Sequence, residues 1–244
     1  MRVQTHHLPG RALGRPMELR EFGDRGQPIL AFPSQDGHVG DFEGFGMIHA
    51  CASLIEAGRV RFLVLDGNDW ESWTNQGIHA AERVKRHRDY ERWVLDEVLP
   101  LAREGAGTDR PWTTGCSMGA FHAANFFFRH PDLFGGVVGI SGLYDTGSFV
   151  GDHFDDEVYF NSPIKFLPGL RDEAILAAMR RGSITFMVGQ GAWEEDCLRD
   201  TRALETALAS IGVPAWFDYW GHDVNHDWPW WRQMLPYALG RRVP

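Results

Sequence analysis

The sequence predicts an α/β fold: a mostly parallel central sheet with crossover helices on both faces, preceded by a β-hairpin. Three observations carry this. Short, almost unbroken apolar runs recur along the chain, as strands buried on both faces require. Between them lie segments whose apolar residues repeat at helical spacing. The 244 residues are 43% hydrophobic and 13% aromatic, enough for a substantial core.

Taken in order, residues 2–8 and 16–22 alternate loosely around the stretch PGRALGR and read as the hairpin. The apolar runs follow at Ile29–Phe32, Phe62–Leu65, Trp112–Thr114, Val137–Ile140, Ile184–Val188 and Trp216–Tyr219. Tyr90, Trp93, Val94 and Val98 form one helical stripe, expected to end near Pro100. Leu204, Leu208 and Ile211 form another, stopped by Gly212 and Pro214. Strand and helix alternating over most of the length imply an open sheet with crossover helices. Residues 142–182 break the rhythm. They are rich in Gly, Asp and aromatics, and are expected to be a long irregular segment, either a wall or lid of a site or a surface excursion. No repeat, low-complexity linker or composition break divides the chain, so residues 1–244 are expected to form one domain.

Charge narrows the partners. A net charge of −9 opposes binding to nucleic acid or to anionic membranes. Cys51, Cys116 and Cys197 are too few and too far apart for a disulfide framework or metal-ligand spacing. The N-terminal MRVQTHHLPGRALGR has no apolar signal-peptide core, and no stretch approaches the about 18 apolar residues of a membrane span. A soluble, cytoplasmic protein is the expectation.

The chemistry concentrates at Gly115-Cys116-Ser117-Met118-Gly119. A strand-like segment ends just before it and a helix-like one, Ala120–Phe128, begins just after. A serine on such a strand–turn–helix junction stands at the carboxyl edge of the sheet, held in strained backbone geometry. Side chains at the two glycine positions would clash with the neighbouring strand and helix. The amide of Met118 faces the same spot and can bind an oxyanion. The competing reading is a glycine-rich turn with a solvated serine. Cys116 is the weaker nucleophile candidate, because the residue before such an elbow faces the core.

A serine hydroxyl needs a base. Of eleven histidines, only His222 and His226 follow the last strand-like run, in WGHDVNHDWPWW. His226 precedes Asp227 and Trp228-Pro229, a helix start with an N-cap and a first-turn proline. His222 follows the strand directly and suits a structural part. A rival reading takes His222, Asp223, His226 and Asp227 as metal ligands, but nothing elsewhere completes that site. The orienting acid is expected in GQGAWEEDC, after Ile184–Val188, where Glu194, Glu195 and Asp196 stand in a row. Trp193 is expected to pin this loop at the cleft floor and position Glu194. Asp196 is expected to cap the following helix. A second oxyanion amide is expected in FPSQDGHVG, at Ser34 or Gln35.

These residues resemble the bacterial esterase family of the α/β-hydrolase superfamily. Its relatives include S-formylglutathione hydrolases, feruloyl and acetylxylan esterases, and antigen 85 mycolyltransferases. The resemblance covers nearly the whole chain, through FPSQDGHVGDFEGFGM, GCSMGAFHAANFFFRHPDLF and HDWPWW. It implies an α/β-hydrolase fold with Ser117 as nucleophile, His226 as base, Glu194 as acid, and Gln35 and Met118 as oxyanion amides. DGNDWESW resembles the family's segment at the active-site mouth, which makes Trp70 and Trp73 candidate walls of an acyl or aryl pocket.

The expected activity is serine carboxylic-ester hydrolysis through an acyl-enzyme, on a small-molecule or oligomeric ester, without cofactor or metal. The alternatives are an acyltransferase or amide-polymer hydrolase with the same triad, and a non-catalytic homologue that holds a ligand in a Trp-rich cleft.

Overall fold

A computed structural model describes residues 1–105, 107–108 and 110–243. Its centre is one eight-stranded sheet in the order β1-β2-β4-β3-β5-β6-β7-β8. The strands are β1 (Val3–Leu8), β2 (Met17–Phe22), β3 (Gln27–Phe32), β4 (Val60–Leu65), β5 (Trp112–Cys116), β6 (Gly136–Ile140), β7 (Ser183–Val188) and β8 (Trp216–Tyr219). The hairpin β1–β2 is antiparallel and joins β4 antiparallel, with Val3 opposite Phe22 and Phe22 opposite Phe62. From β4 to β8 every pairing is parallel. Each predicted strand is present: the apolar runs are lengthened by one or two residues except at Trp216–Tyr219, and the two hairpin strands each begin one residue later than expected.

The period of two along each strand divides the core between two faces. Leu30, Phe32, Leu63 and Leu65 pack with Trp93, Phe126, Phe127 and Leu204 on one side. Ile29, Ala31, Phe62 and Val64 pack with Met47, Ile48, Trp231 and Leu235 on the other. Strands covered on both faces must be apolar at consecutive positions, which is why they read as unbroken runs. Each fully buried large side chain contributes about 1.5–3 kcal/mol relative to leaving it exposed.

Two expectations need correction. The stripe through Val98 does not end near Pro100. Helix Ala80–Trp93 passes through a widened π turn at Val94–Val98 into helix Leu99–Arg103, which has Pro100 in its first turn. Pro100 has no N–H for the carbonyl four residues back, and the widened turn before it relieves that conflict. Residues 142–182 are not irregular. They form helices Gly147–Val150, Asp156–Phe160, Pro163–Phe166 and Glu173–Arg180, with a 3-10 turn at Leu167–Gly169. Two of the aspartates that suggested loop are caps: Asp155 accepts from the Val158 amide, and Asp172 from those of Ala174 and Ile175.

Candidate active site

The chain leaves β5 at Cys116 and enters helix Met118–Arg129 through one residue, Ser117, with φ 56° and ψ −124°. A non-glycine residue in this region costs about 1–3 kcal/mol and is held only by firm surroundings. The Ser117 amide donates to the Ile140 carbonyl at 2.9 Å. The flanking glycines are required sterically. A Cβ on Gly115 would lie 2.3 Å from the Gly119 carbonyl carbon, and one on Gly119 would lie 2.4 Å from the Phe32 carbonyl oxygen. The elbow is therefore wedged against the end of β3 as well as its own helix. Cys116 is wholly buried, and burial pushes its thiol well up, which removes it as a rival nucleophile.

His226 arrives from the loop after β8. Its Nε2 is 2.9 Å from Ser117 Oγ and its Nδ1 is 3.3 Å from Glu194 Oε2. With the serine hydroxyl donating to Nε2, the ring proton sits on Nδ1 and is donated to the carboxylate. The ring is fixed from below by Trp231, edge-on at 4.9 Å between centroids. Asp227 caps helix Trp228–Arg242 by accepting from the Trp228 amide at 2.7 Å, and Pro229 lies in the first turn. A capped helix start thus fixes the histidine's position.

Glu194 is 0% exposed, whereas Glu195 and Asp196 face solvent. Its second oxygen, Oε1, accepts from the Ser141 hydroxyl at 2.6 Å, and that hydroxyl accepts from Trp231 Nε1 at 3.2 Å. The loop is stitched to the histidine loop: Gly191 N donates to Val224 O, Ala192 N to Asn225 Oδ1, and His226 N to Ala192 O. Gly189 is tight here, since a Cβ would lie 2.2 Å from the Val224 oxygen.

The reasons expected for Glu194's position were wrong in two respects. Trp193 does not pin the cleft floor; it is 83% exposed and has φ 67°. Its left-handed backbone turns the chain so that the indole points out while the next carboxylate turns in. Asp196 is not the cap of helix Glu195–Ser210. Glu194 occupies that position without a side-chain cap bond, and Asp196 pairs with Arg199 on the surface.

Met118 begins the elbow helix, where the first N–H groups have no intrahelical acceptor and the helix dipole is positive. Gln35 lies on the loop after β3, which Ser34 ties to the elbow by donating its hydroxyl to the Cys116 carbonyl at 3.2 Å. The two tryptophans of DGNDWESW part company. Trp73 is 0% exposed and packs against Phe121 and His87 in a cluster that includes Met118, so it is core and not an open wall. Trp70 is half-buried, with its ring 4.9 Å from that of His38 and the Arg15 guanidinium 5.4 Å over its face.

His222 is exposed, with Nδ1 3.3 Å from the Gln190 carbonyl, and is not brought to Ser117. The rival metal set does not assemble among the described residues. The cluster of metal-binding residue types found there is Glu194, Cys197 and His226. Sequence reasoning missed Ser141, Trp231 and Cys197, whose Sγ is 3.8 Å from His226 Nδ1. Ser141 carried one signal, a hydroxyl at the carboxyl end of β6, beside the strand that bears the elbow.

A strained serine on this elbow, in contact with a histidine backed by a buried carboxylate on a mostly parallel sheet, marks a serine esterase of the α/β-hydrolase fold. The chain belongs to the family described as "Putative esterase", whose model matches residues 25–241. Similar solved structures include a ferulic acid esterase, at TM-score 0.76 and 19% identity over 98% of both chains. They include the Staphylococcus aureus fluorophosphonate-binding serine hydrolase FphF, at TM-score 0.74 and 15% identity over 100% of this chain and 98% of that one. MPT51 (FbpC1) of Mycobacterium tuberculosis aligns over 100% of both chains at TM-score 0.75 and 14% identity. At such identities the likeness is one of fold. No curated protein matches the sequence. No helix among the described residues is long and apolar enough to cross a membrane.

Proposed function

We propose that the protein hydrolyses carboxylic esters through an acyl-enzyme on Ser117, His226 and Glu194. The observation that carries this reading is the continuous contact from Ser117 Oγ to His226 Nε2 at 2.9 Å and from Nδ1 to Glu194 at 3.3 Å. Ser117 attacks the ester carbonyl as His226 takes its proton on Nε2, and Glu194 offsets the charge of the imidazolium. The amides of Gln35 and Met118 bind the oxyanion, each worth about 2.7–4 kcal/mol where such donors have been removed. His226 then protonates the leaving alcohol, and a water activated at the same nitrogen releases the acid. No step needs a metal or a cofactor.

Aromatic side chains border the histidine. Phe45 is exposed and stacks on Trp228 at 4.7 Å between centroids, two residues beyond His226. Such a shelf suits an aryl or extended acyl substrate, small or oligomeric, and one structural relative is a ferulic acid esterase. The three unpaired, buried cysteines suit the reducing cytoplasm.

The test is a p-nitrophenyl ester panel of varied acyl length that includes aryl esters, paired with a fluorophosphonate label mapped by mass spectrometry. Label on Ser117 and turnover of at least one ester are expected. Label elsewhere, or none, overturns the reading. Repeating the assay with added alcohols tells hydrolysis from acyl transfer by its products.

A further inference from the structure

Cys197 lies in the first turn of helix Glu195–Ser210, and its thiol is not used by the hydrolytic mechanism. It nevertheless touches the catalytic ring on the side facing Glu194. Cys197 Sγ is 3.8 Å and Glu194 Oε2 is 3.3 Å from the same atom, His226 Nδ1, and one ligand atom from each residue lies within 4.8 Å of the others. Zinc binds thiolate, imidazole and carboxylate at about 2.0–2.3 Å, so in a tetrahedral site the ligand atoms stand roughly 3.3–3.7 Å apart. The two spacings at Nδ1 are close to that geometry without any ligand in place.

The charges agree as well. One carboxylate and one thiolate neutralise a divalent ion in a buried setting where an unpaired charge is costly. In the free protein the thiol stays protonated, since burial and then the nearby Glu194 charge push it well up. A dication between the two groups reverses both effects. Sulfur and nitrogen donors select a borderline or soft ion over magnesium or calcium.

We propose that Glu194, Cys197 and His226 form an inhibitory site for Zn2+ or a similarly thiophilic divalent ion. Binding moves two protons. The Cys197 thiol releases one to solvent, and the ring proton of His226 passes from Nδ1 to Nε2, which frees the Nδ1 lone pair for the ion. Water takes the fourth position. His226 then presents Nε2–H to Ser117 and has no lone pair with which to accept the serine proton. The nucleophile is left unactivated, and removal of the ion restores it. The ion is an off-switch rather than a cofactor. The inhibition rests on the proposed triad, whereas the binding does not.

The experiment titrates the full-length protein with Cd2+, following the charge-transfer absorption of a Cd2+–thiolate bond. In parallel it titrates Zn2+ against p-nitrophenyl ester turnover. The band is expected in the parent and in Cys51→Ala, and is expected to vanish in Cys197→Ala. Zn2+ should inhibit the parent reversibly, with turnover restored by EDTA. Measured against its own metal-free turnover, Cys197→Ala should need at least about tenfold more Zn2+ for the same fractional inhibition. Cys197→Ser, checked by circular dichroism, serves if the alanine variant does not fold. Absence of the band in the parent, its persistence without Cys197, or unchanged Zn2+ inhibition in the variant overturns the proposal. A parent that shows the Cys197-dependent band but hydrolyses no ester keeps the ion site and removes the esterase reading.

Discussion

Ser117 is a small side chain at the sheet edge, and its removal touches chemistry far more than packing. Ser117→Ala is expected to fold normally, judged by its melting curve, and to lose at least about a thousandfold in kcat. His226→Ala should fall comparably on the same ester, while His222→Ala, which loses only a surface contact to Gln190, should stay near the parent. A larger loss at position 222 would move the base to that residue. Glu194→Gln keeps the shape but breaks the charge behind the ring, and a drop of roughly 10²–10⁴ in kcat is expected. Glu195→Gln and Asp196→Asn, both on solvent-facing carboxylates, should remain within about tenfold. Which of three adjacent acids turns inward was not visible as a pattern in AWEED. It depends on the left-handed backbone of Trp193, and an exposed tryptophan in that conformation carries no sequence signature.

Elements hold the elbow helix in place from its far end. Glu91, on helix Ala80–Trp93, accepts from Arg129 Nε and Nη2 at 2.8 and 3.0 Å and from His130 Nε2 at 2.8 Å, at the close of helix Met118–Arg129. Burial alone would raise this carboxyl, but the His130 hydrogen bond and the Arg129 charge outweigh it and bring it from 4.5 to about 2. A depressed folded pKa contributes stability that is complete above the unfolded value and is lost as pH falls through about 2. Glu91→Gln should therefore cost on the order of 3 kcal/mol at neutral pH in urea unfolding, and the difference from the parent should shrink steadily below about pH 4. A difference independent of pH would mean the pair is worth only its packing. This clamp was missed because Glu91 and Arg129 are distant in sequence and each reads as an ordinary helix-surface charge. Three of the four helices of residues 142–182 escaped for a related reason: at four or five residues each they show less than one repeat of apolar spacing.

At the scale of the whole molecule the site is a meeting of separate chain segments. Ser117 comes from the middle of the sheet, and His226 comes from the loop before the C-terminal helix. Glu194 and Ser141 arrive from loops at the ends of β7 and β6. Helix Trp228–Arg242 fills one face of the sheet through Trp231, Met234 and Leu235 while its first turn fixes His226. Site and core therefore share support. Leu235→Ala, at a wholly buried position, should cost about 2–5 kcal/mol and lower the melting temperature. In parent and variant alike, esterase activity should disappear over the same temperature range as the circular dichroism signal. Activity lost well before the melt would show that the histidine loop opens independently of the core.

The sequence by itself determined the class of fold, the serine and the histidine. Strands buried on both faces must be apolar without interruption, a one-residue elbow must be flanked by glycines, and a helix start must be capped and tolerates proline. Each is a local rule that leaves a local mark. Tertiary structure alone decided that Glu194 is the inward carboxylate, that Ser141 and Trp231 hold it, that Trp73 is core, and that Cys197 stands beside His226. Those facts depend on where distant loops meet at the sheet edge, because burial and contact are properties of the assembled surface and not of neighbouring letters.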